Sequence, residues 1–252
     1  MLDRITPLIL TRDEEANIGR TLAQLTWACE VVVVDSLSTD GTVSEARKFA
    51  NVRLVSRAFD SHDVQWTFGV DQVTTPWVLT LDADYFVSEA FMRNLASLDP
   101  PPDVAGYEAT FLYAIAGRPL RSALYPPRVV LLRRGAFEFW QDGHTQRVRV
   151  HGRVERLHAP LIHDDRKDLR RFIQRQRAYM RQEAAKLRAT RWAALPTSGR
   201  IRKLRVVAPF ATLFYTLFAK RTILDGRPGW RYATERFLAE AVLSLELFRS
   251  RG

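Results

Sequence analysis

The sequence predicts an α/β protein: a mostly parallel sheet flanked by helices, followed by a helical, amphipathic C-terminal region. Three observations carry this. Short apolar runs alternate with helix-period segments through the first eighty residues, the pattern of strands joined by crossover helices. Acidic residues gather just after three of those runs. From Asp165 onward the periodicity becomes helical and strongly basic.

Each element follows from its local pattern. Ile5–Leu10 is an apolar run ending at the polar loop Thr11–Asn17, and Ile18, Leu22 and Leu25 then recur at helical spacing. Glu30–Val34 carries the run VVVV, closed by Asp35 and the turn-rich SLSTDGT. Thr42–Ala50 reads as helix, Val52–Val55 as strand, Gln65–Val73 as helix, and Trp77–Leu81 as a strand ending in Asp82-Ala83-Asp84. In parallel sheets ligands bind beyond the carboxyl ends of the strands, and Asp13–Glu15, Asp35 and Asp82/Asp84 all fall there. The Pro-rich DPPPD at Asp99–Asp103 is a loop dividing a nucleotide half, 1–100, from an acceptor half, 101–164. Strand-like segments follow at Ala105–Leu112, Arg128–Arg133, Gln146–Val150 and Leu161–Ile162. The region 165–252 is expected to be basic and helical, with an apolar stripe from Leu169 to Leu187 and a last amphipathic helix from Tyr232 to Phe248.

Composition narrows the function classes. Of 252 residues, 46% are hydrophobic and 26% charged, a globular balance with material for a large core. A single cysteine, Cys29, excludes an internal disulfide framework and a Cys-based zinc cluster. The first residues lack an apolar stretch long enough for a secretory signal. The longest apolar run, Val206–Ala219, is too short to span a bilayer. The expected location is therefore cytoplasmic. The formal net charge of +10 is uneven: residues 1–100 hold 8 Lys/Arg against 15 Asp/Glu, and the remainder holds 30 against 13. The acidic part suits metal or sugar hydroxyls; the basic part suits a polyanionic partner or a well-solvated surface.

The acidic positions are the candidate chemistry. Asp82 and Asp84, at i and i+2, offer hard oxygen ligands for Mg²⁺ or Mn²⁺, or else end a strand before a helix starting near Ser88. Asp35 can accept from a base or ribose, or serve turn chemistry; Glu15 can do the same, or cap a helix. Neither a P-loop nor a GxGxxG motif is present. His163 follows a strand and precedes the basic helix, so it is a metal or diphosphate ligand, or packs at the strand end while Asp164 or Asp165 caps the helix.

Taken together, ILTRDEEANIGRTL, VVVVDSLSTDGT and WVLTLDAD, in this order and spacing, resemble the nucleotide-sugar-binding half of a family 2 glycosyltransferase with the GT-A fold. The later RVVLLRRG, DGHTQ, PLIHDD and ILDGRPGW are similar to the bacterial lipopolysaccharide-core and cell-envelope branch. The resemblance implies a GT-A catalytic domain over 1–164. It implies that Thr11, Glu15, Asp35, Gln65 and Asp82 contact the nucleotide-sugar, and that Asp84 holds a divalent metal, Mn²⁺ or Mg²⁺; His163, from its own position, is the further metal candidate. The general base would come from the loop Trp140–Gln146, where related enzymes carry a His-Glu pair; Asp142 is the first candidate and His144 the second.

The implied reaction is an inverting transfer from a nucleoside-diphosphate sugar to a hydroxyl of a cell-envelope glycan or lipid-linked acceptor. Val206–Ala219, between Arg205 and Lys220, suits either a peripheral contact with an anionic membrane surface or ordinary core. Two alternatives stand beside the enzyme: a catalytically degenerate scaffold of the same fold, and an Arg-rich nucleic-acid binder. No helix-turn-helix, zinc-finger or RNP-like pattern supports the second, so a nucleic-acid partner is not expected.

Overall fold

The computed structural model describes residues 1–142, 145–166 and 169–249, without the side chains of 141–142, 145–146, 169–171 and 175. The chain divides into two compact units, Met1–Tyr113 with Tyr125–Arg166, and Ala114–Leu124 with Lys167–Gly252.

The first unit opens with β1 (Ile5–Thr11), α1 (Ile18–Ala23), β2 (Val31–Asp35), α2 (Thr42–Ala46), β3 (Val52–Ser56), α3 (His62–Asp71) and β4 (Trp77–Asp82). It continues through β5 (Tyr85–Phe86), α4 (Glu89–Ala96), β6 (Val104–Ala109), and β7 (Phe111–Ile115), which runs into the second unit. After the short β8 (Arg118–Pro119) in the second unit come β9 (Arg128–Arg133), β10 (Phe137–Asp142), β11 (Thr145–Val150), β12 (Arg153–Arg156) and β13 (Leu161–His163). The main sheet has the order β12-β6-β9-β4-β1-β2-β3. The strands β1–β4 are mutually parallel, and β9 runs against both β4 and β6. This is the mostly parallel sheet flanked by helices that the sequence predicts.

Side-chain alternation explains why the strands read as unbroken apolar runs. Ile5, Ile9, Val31, Val33, Trp77, Leu79 and Leu81 pack on one face with Ile18, Leu22, Leu25, Phe91 and Leu95. Leu8, Val32, Val34 and Val78 pack on the other with Trp66 and Val73. Both faces are covered, so neither can be polar. The α4 helix starts where expected, with the Ser88 hydroxyl accepting from Phe91 N.

Three details differ from the sequence reading. The Ala105–Leu112 segment is two strands in two sheets: β6 ends at Ala109, Thr110 separates it from β7, and β7 pairs with β13, which also pairs with β5. The strand β11 falls where Gln146–Val150 was expected, but its hairpin partner β10 and the strand β12 were not expected from hydropathy. Finally, the basic helix begins at Leu169, so Asp164 and Asp165 stand before it and not at its cap.

The second unit contains the β7–β8 turn, α5 (Leu169–Ala189), α6 (Thr197–Lys203), α7 (Val207–Phe214) and α8 (Arg227–Arg249). Ala184, Leu187, Leu195, Leu243 and Leu247 form its buried cluster. Pro209 falls in the first turn of α7, where a missing N–H costs no helical bond. The helix continues into a π turn, Tyr215–Ala219, with Lys220 N donating to Tyr215 O at 3.0 Å. The apolar run 206–219 is split between two environments: Ala208, Pro209, Thr216 and Leu217 are buried, and most of its aromatic side chains face outward. No helix among the described residues is long and apolar enough to cross a membrane.

Candidate active site

The parallel strands β1, β2 and β4 end at Thr11, Asp35 and Asp82, so the loops that follow them meet at one edge of the sheet. The loop after β1 is zipped to the loop after β2. Asp13 takes a left-handed conformation, φ 54°, its N donating to Ser38 Oγ (2.9 Å) and its carboxylate accepting from Thr39 N (2.8 Å). Glu14 N donates to Thr42 Oγ1 at 2.7 Å. These bonds turn Glu14 inward, where it is buried, and leave Glu15 exposed.

Asp84 is the centre of the site. It is buried two residues beyond the end of β4, and its Oδ2 lies 3.0 Å from His163 Nε2. The pairing of β13 with β5 sets this contact, because His163 stands opposite Tyr85. Carboxylate oxygens of Glu14, Asp84 and Asp165 lie within 4.8 Å of one another. Asn17 links two of them, its side-chain amide donating to Glu14 (2.9 Å) and to Asp165 (3.1 Å). Arg20 donates to Asp164 at 2.6 Å, and Arg166 donates to the same carboxylate oxygen at 2.8 Å. The result joins residues 148 positions apart into one polar clasp.

Electrostatics match the geometry. Three gathered carboxylates repel, and hard oxygen donors at this spacing suit Mg²⁺ or Mn²⁺. Burial acts to lower the His163 pKa, but the carboxylates of Asp84, Asp82 and Asp165 outweigh it and hold the imidazole above its ordinary value. Tyr85, Tyr113 and Tyr125 surround that ring, with centroids 5.6, 4.7 and 5.6 Å away. Desolvation, reinforced by Asp82, pushes the Tyr125 hydroxyl up to about 12. It stays protonated at neutral pH and shares a 2.9 Å hydrogen bond with Tyr85.

The residues singled out from sequence fall as follows. Thr11 is buried, and its hydroxyl has no partner among the described residues. Glu15 accepts from Gly41 N at 3.1 Å, at the N-terminus of α2. Asp35 is buried and accepts from Ser38 N (3.0 Å) and Ser38 Oγ (2.5 Å), which ties down the turn after β2. Gln65 is fully buried, donating to Ser36 Oγ (3.1 Å) and accepting from Arg57. Asp82 ends β4, paired in register with Leu10. Asp142 ends β10, but its side chain, like His144 entirely, lies outside the described residues. Glu14 and Asp165 were not singled out as ligands. The signal for Glu14 was its place in the acidic run Asp13–Glu15 after the first strand, and Asp165 had been read as a possible cap.

A family model described as glycosyl transferase family 2 matches residues 8–107, the segment that carries the second half of β1, β2–β4 and Asp84. Residues 8–107 belong to that family. The family 2 segment is similar to the lipopolysaccharide core biosynthesis glycosyltransferase LpsC of Rhizobium meliloti, 29% identical over 98 residues, covering 37% of this chain and 36% of that protein. It is also 33% identical over 95 residues to an uncharacterized glycosyltransferase of Rickettsia typhi, covering 37% and 32%. The chain thus spans about a third of the length of these relatives. Beyond the family 2 segment, the fold as a whole is like that of the mannosyltransferase PcManGT of Pyrobaculum calidifontis, solved with GDP-Man and Mn²⁺. That likeness has a TM-score of 0.54 at 17% identity, and covers 98% of this chain and 88% of the other.

Proposed function

We propose that this protein is a metal-assisted, inverting glycosyltransferase. It would move a sugar from a nucleoside-diphosphate donor to a hydroxyl of a cell-envelope glycan or lipid-linked acceptor. The observation that carries the proposal is the gathering of Glu14, Asp84 and Asp165 beyond the ends of the parallel strands of a family 2 segment. Similarity to a lipopolysaccharide core enzyme supports the envelope acceptor, and the Mn²⁺ and GDP-Man in PcManGT support the metal and the donor class.

Glu14, Asp84 and Asp165 would hold Mn²⁺ or Mg²⁺, with His163 either completing the set or fixing the orientation of Asp84. When bound, the ion offsets the negative charge that develops on the departing diphosphate. The Thr11 hydroxyl, without a partner among the described residues, would bond a donor group, as would Asp35 and Asp82 at the ends of β2 and β4, Glu15 in the loop after β1 and Gln65 of α3. Asp142, with His144 second, is proposed to take the proton from the acceptor hydroxyl as its oxygen attacks the anomeric carbon. The bond from that carbon to the diphosphate oxygen breaks on the opposite face, which inverts the configuration. The proposed domain assignment is 1–164 catalytic, with nucleotide-sugar half 1–100 and acceptor half 101–164, and 165–252 basic and helical, with Asp165 at the boundary serving the catalytic site.

Titration calorimetry with UDP, GDP, ADP and CMP, each with and without Mn²⁺, tests the reading. Metal-dependent binding of one nucleotide, abolished in Asp84→Ala, is the expected result. A folded protein that binds none of them overturns it.

A further inference from the structure

We propose that the α7 segment is a docking surface for an anionic lipid bilayer, held in the plane of the interface. Val206, Val207, Phe210, Phe214, Tyr215 and Phe218 are each between 51% and 61% exposed. Soluble surfaces scatter such residues singly; six within thirteen positions form a patch that calls for a partner. Their spacing places them on one side. Val207, Phe210, Phe214 and Phe218 follow at intervals of three and four, while Ala208, Pro209, Thr216 and Leu217 turn inward. The π turn reinforces this arrangement: Phe214 and Phe218 stack with centroids 6.1 Å apart, and Tyr215 remains outward beside them.

Charge identifies the occupant. Ala184–Leu224 contains nine Lys/Arg and no Asp/Glu over 41 residues. Arg205 precedes the patch, and Lys220 and Arg221 follow it. Lys220 Nζ sits 5.9 Å from the Tyr215 ring centroid, a cation held at the edge of the apolar face. Arg221 is exposed in a left-handed turn at the end of the segment. An aromatic face bracketed by cations, on a segment too short to span, matches a helix lying at the headgroup boundary of an anionic membrane. A second copy of this chain would bring like charges together around the same patch, which disfavours self-association as the cover.

This proposal does not rest on the transferase reading, because vesicle binding needs neither donor nor metal. The test is sedimentation of the full chain with vesicles of phosphatidylcholine containing phosphatidylglycerol, and with phosphatidylcholine alone. Binding is expected to the anionic vesicles and to weaken with added salt. Phe210→Glu/Phe214→Glu should raise the lipid concentration for half-binding by about tenfold or more, the scale of two aromatic side chains withdrawn from the acyl boundary. Circular dichroism checks that the variant is folded; Phe210→Ser/Phe214→Ser, without added charge, serves if the first is not. Wild-type protein that stays in the supernatant with anionic vesicles overturns the proposal. So does vesicle binding that the Phe variants leave unchanged. A dimer by light scattering that these variants dissociate, without vesicle binding, assigns the patch to a second copy and also overturns it.

Discussion

Thr21 provides the sharpest test of how the site is held. It lies on the apolar side of α1, buried, between Ile18 and Leu22. Its hydroxyl donates to the carbonyls of Ala83 (2.6 Å) and Tyr85 (2.9 Å), the residues on either side of Asp84. One buried proton therefore fixes the turn that presents the central carboxylate. Thr21→Val keeps the shape and removes the donor, leaving two buried carbonyls short of a partner. That should cost about 1–3 kcal/mol, or on the order of 3–10 °C in the melting of the first unit. Thermal and urea unfolding give the stability, and calorimetry with Mn²⁺ gives the state of the site. Metal affinity should fall with the turn, and Thr21→Ser, which keeps the hydroxyl, should stay close to wild type in both. A Val variant that loses under about 0.5 kcal/mol and binds Mn²⁺ normally would refute the reasoning.

Other substitutions separate folding from binding. Thr11→Val replaces a buried hydroxyl that lacks a protein partner; stability should hold or rise by up to about 1 kcal/mol, while nucleotide affinity measured by calorimetry falls. Glu14→Gln, Asp84→Asn and Asp165→Asn should each weaken Mn²⁺ binding by about tenfold or more, and the triple variant should bind none. A Cβ at Gly229 would stand 1.8 Å from the Thr222 carbonyl oxygen. Gly229→Ala must therefore displace backbone at the start of α8, costing about 3 kcal/mol; faster limited proteolysis of the second unit would register it. Asp164→Ala removes the buried partner of Arg20 and Arg166, whose own side chains reach solvent, and should destabilise by about 1–2 kcal/mol, read from the urea midpoint.

The order of strands and helices through β4 was legible because a sheet covered on both faces leaves a continuous apolar run for each strand. β12 left no such trace. Its residues Arg153–Arg156 are mostly exposed, and its place at the sheet edge comes from backbone pairing with β6 and from the Arg156–Glu108 ion pair. β9, though visible as a strand, gave no sign that it would insert antiparallel between β4 and β6. Hydropathy reports burial, and direction in a sheet is a matter of which strand edges meet.

The site divides in the same way. Asp84 was legible because an acidic residue after a parallel strand has few reasons to be there other than ligand or turn. Glu14 and Glu15 are neighbours of the same type, and local sequence cannot rank them. Bonds from Asp13 to Ser38 and Thr39, and from Glu14 to Thr42, decide which of the two turns inward. Asp165 reaches Glu14 and Asp84 only because β13 pairs with β5 and Asn17 bridges the gap. The sequence by itself determined the α/β pattern, the strand ends and the sign of charge on each part, since these depend on side-chain type and spacing. Only the tertiary structure decided which carboxylates share a site and which aromatic face stays uncovered, because both depend on distances between segments far apart in the chain.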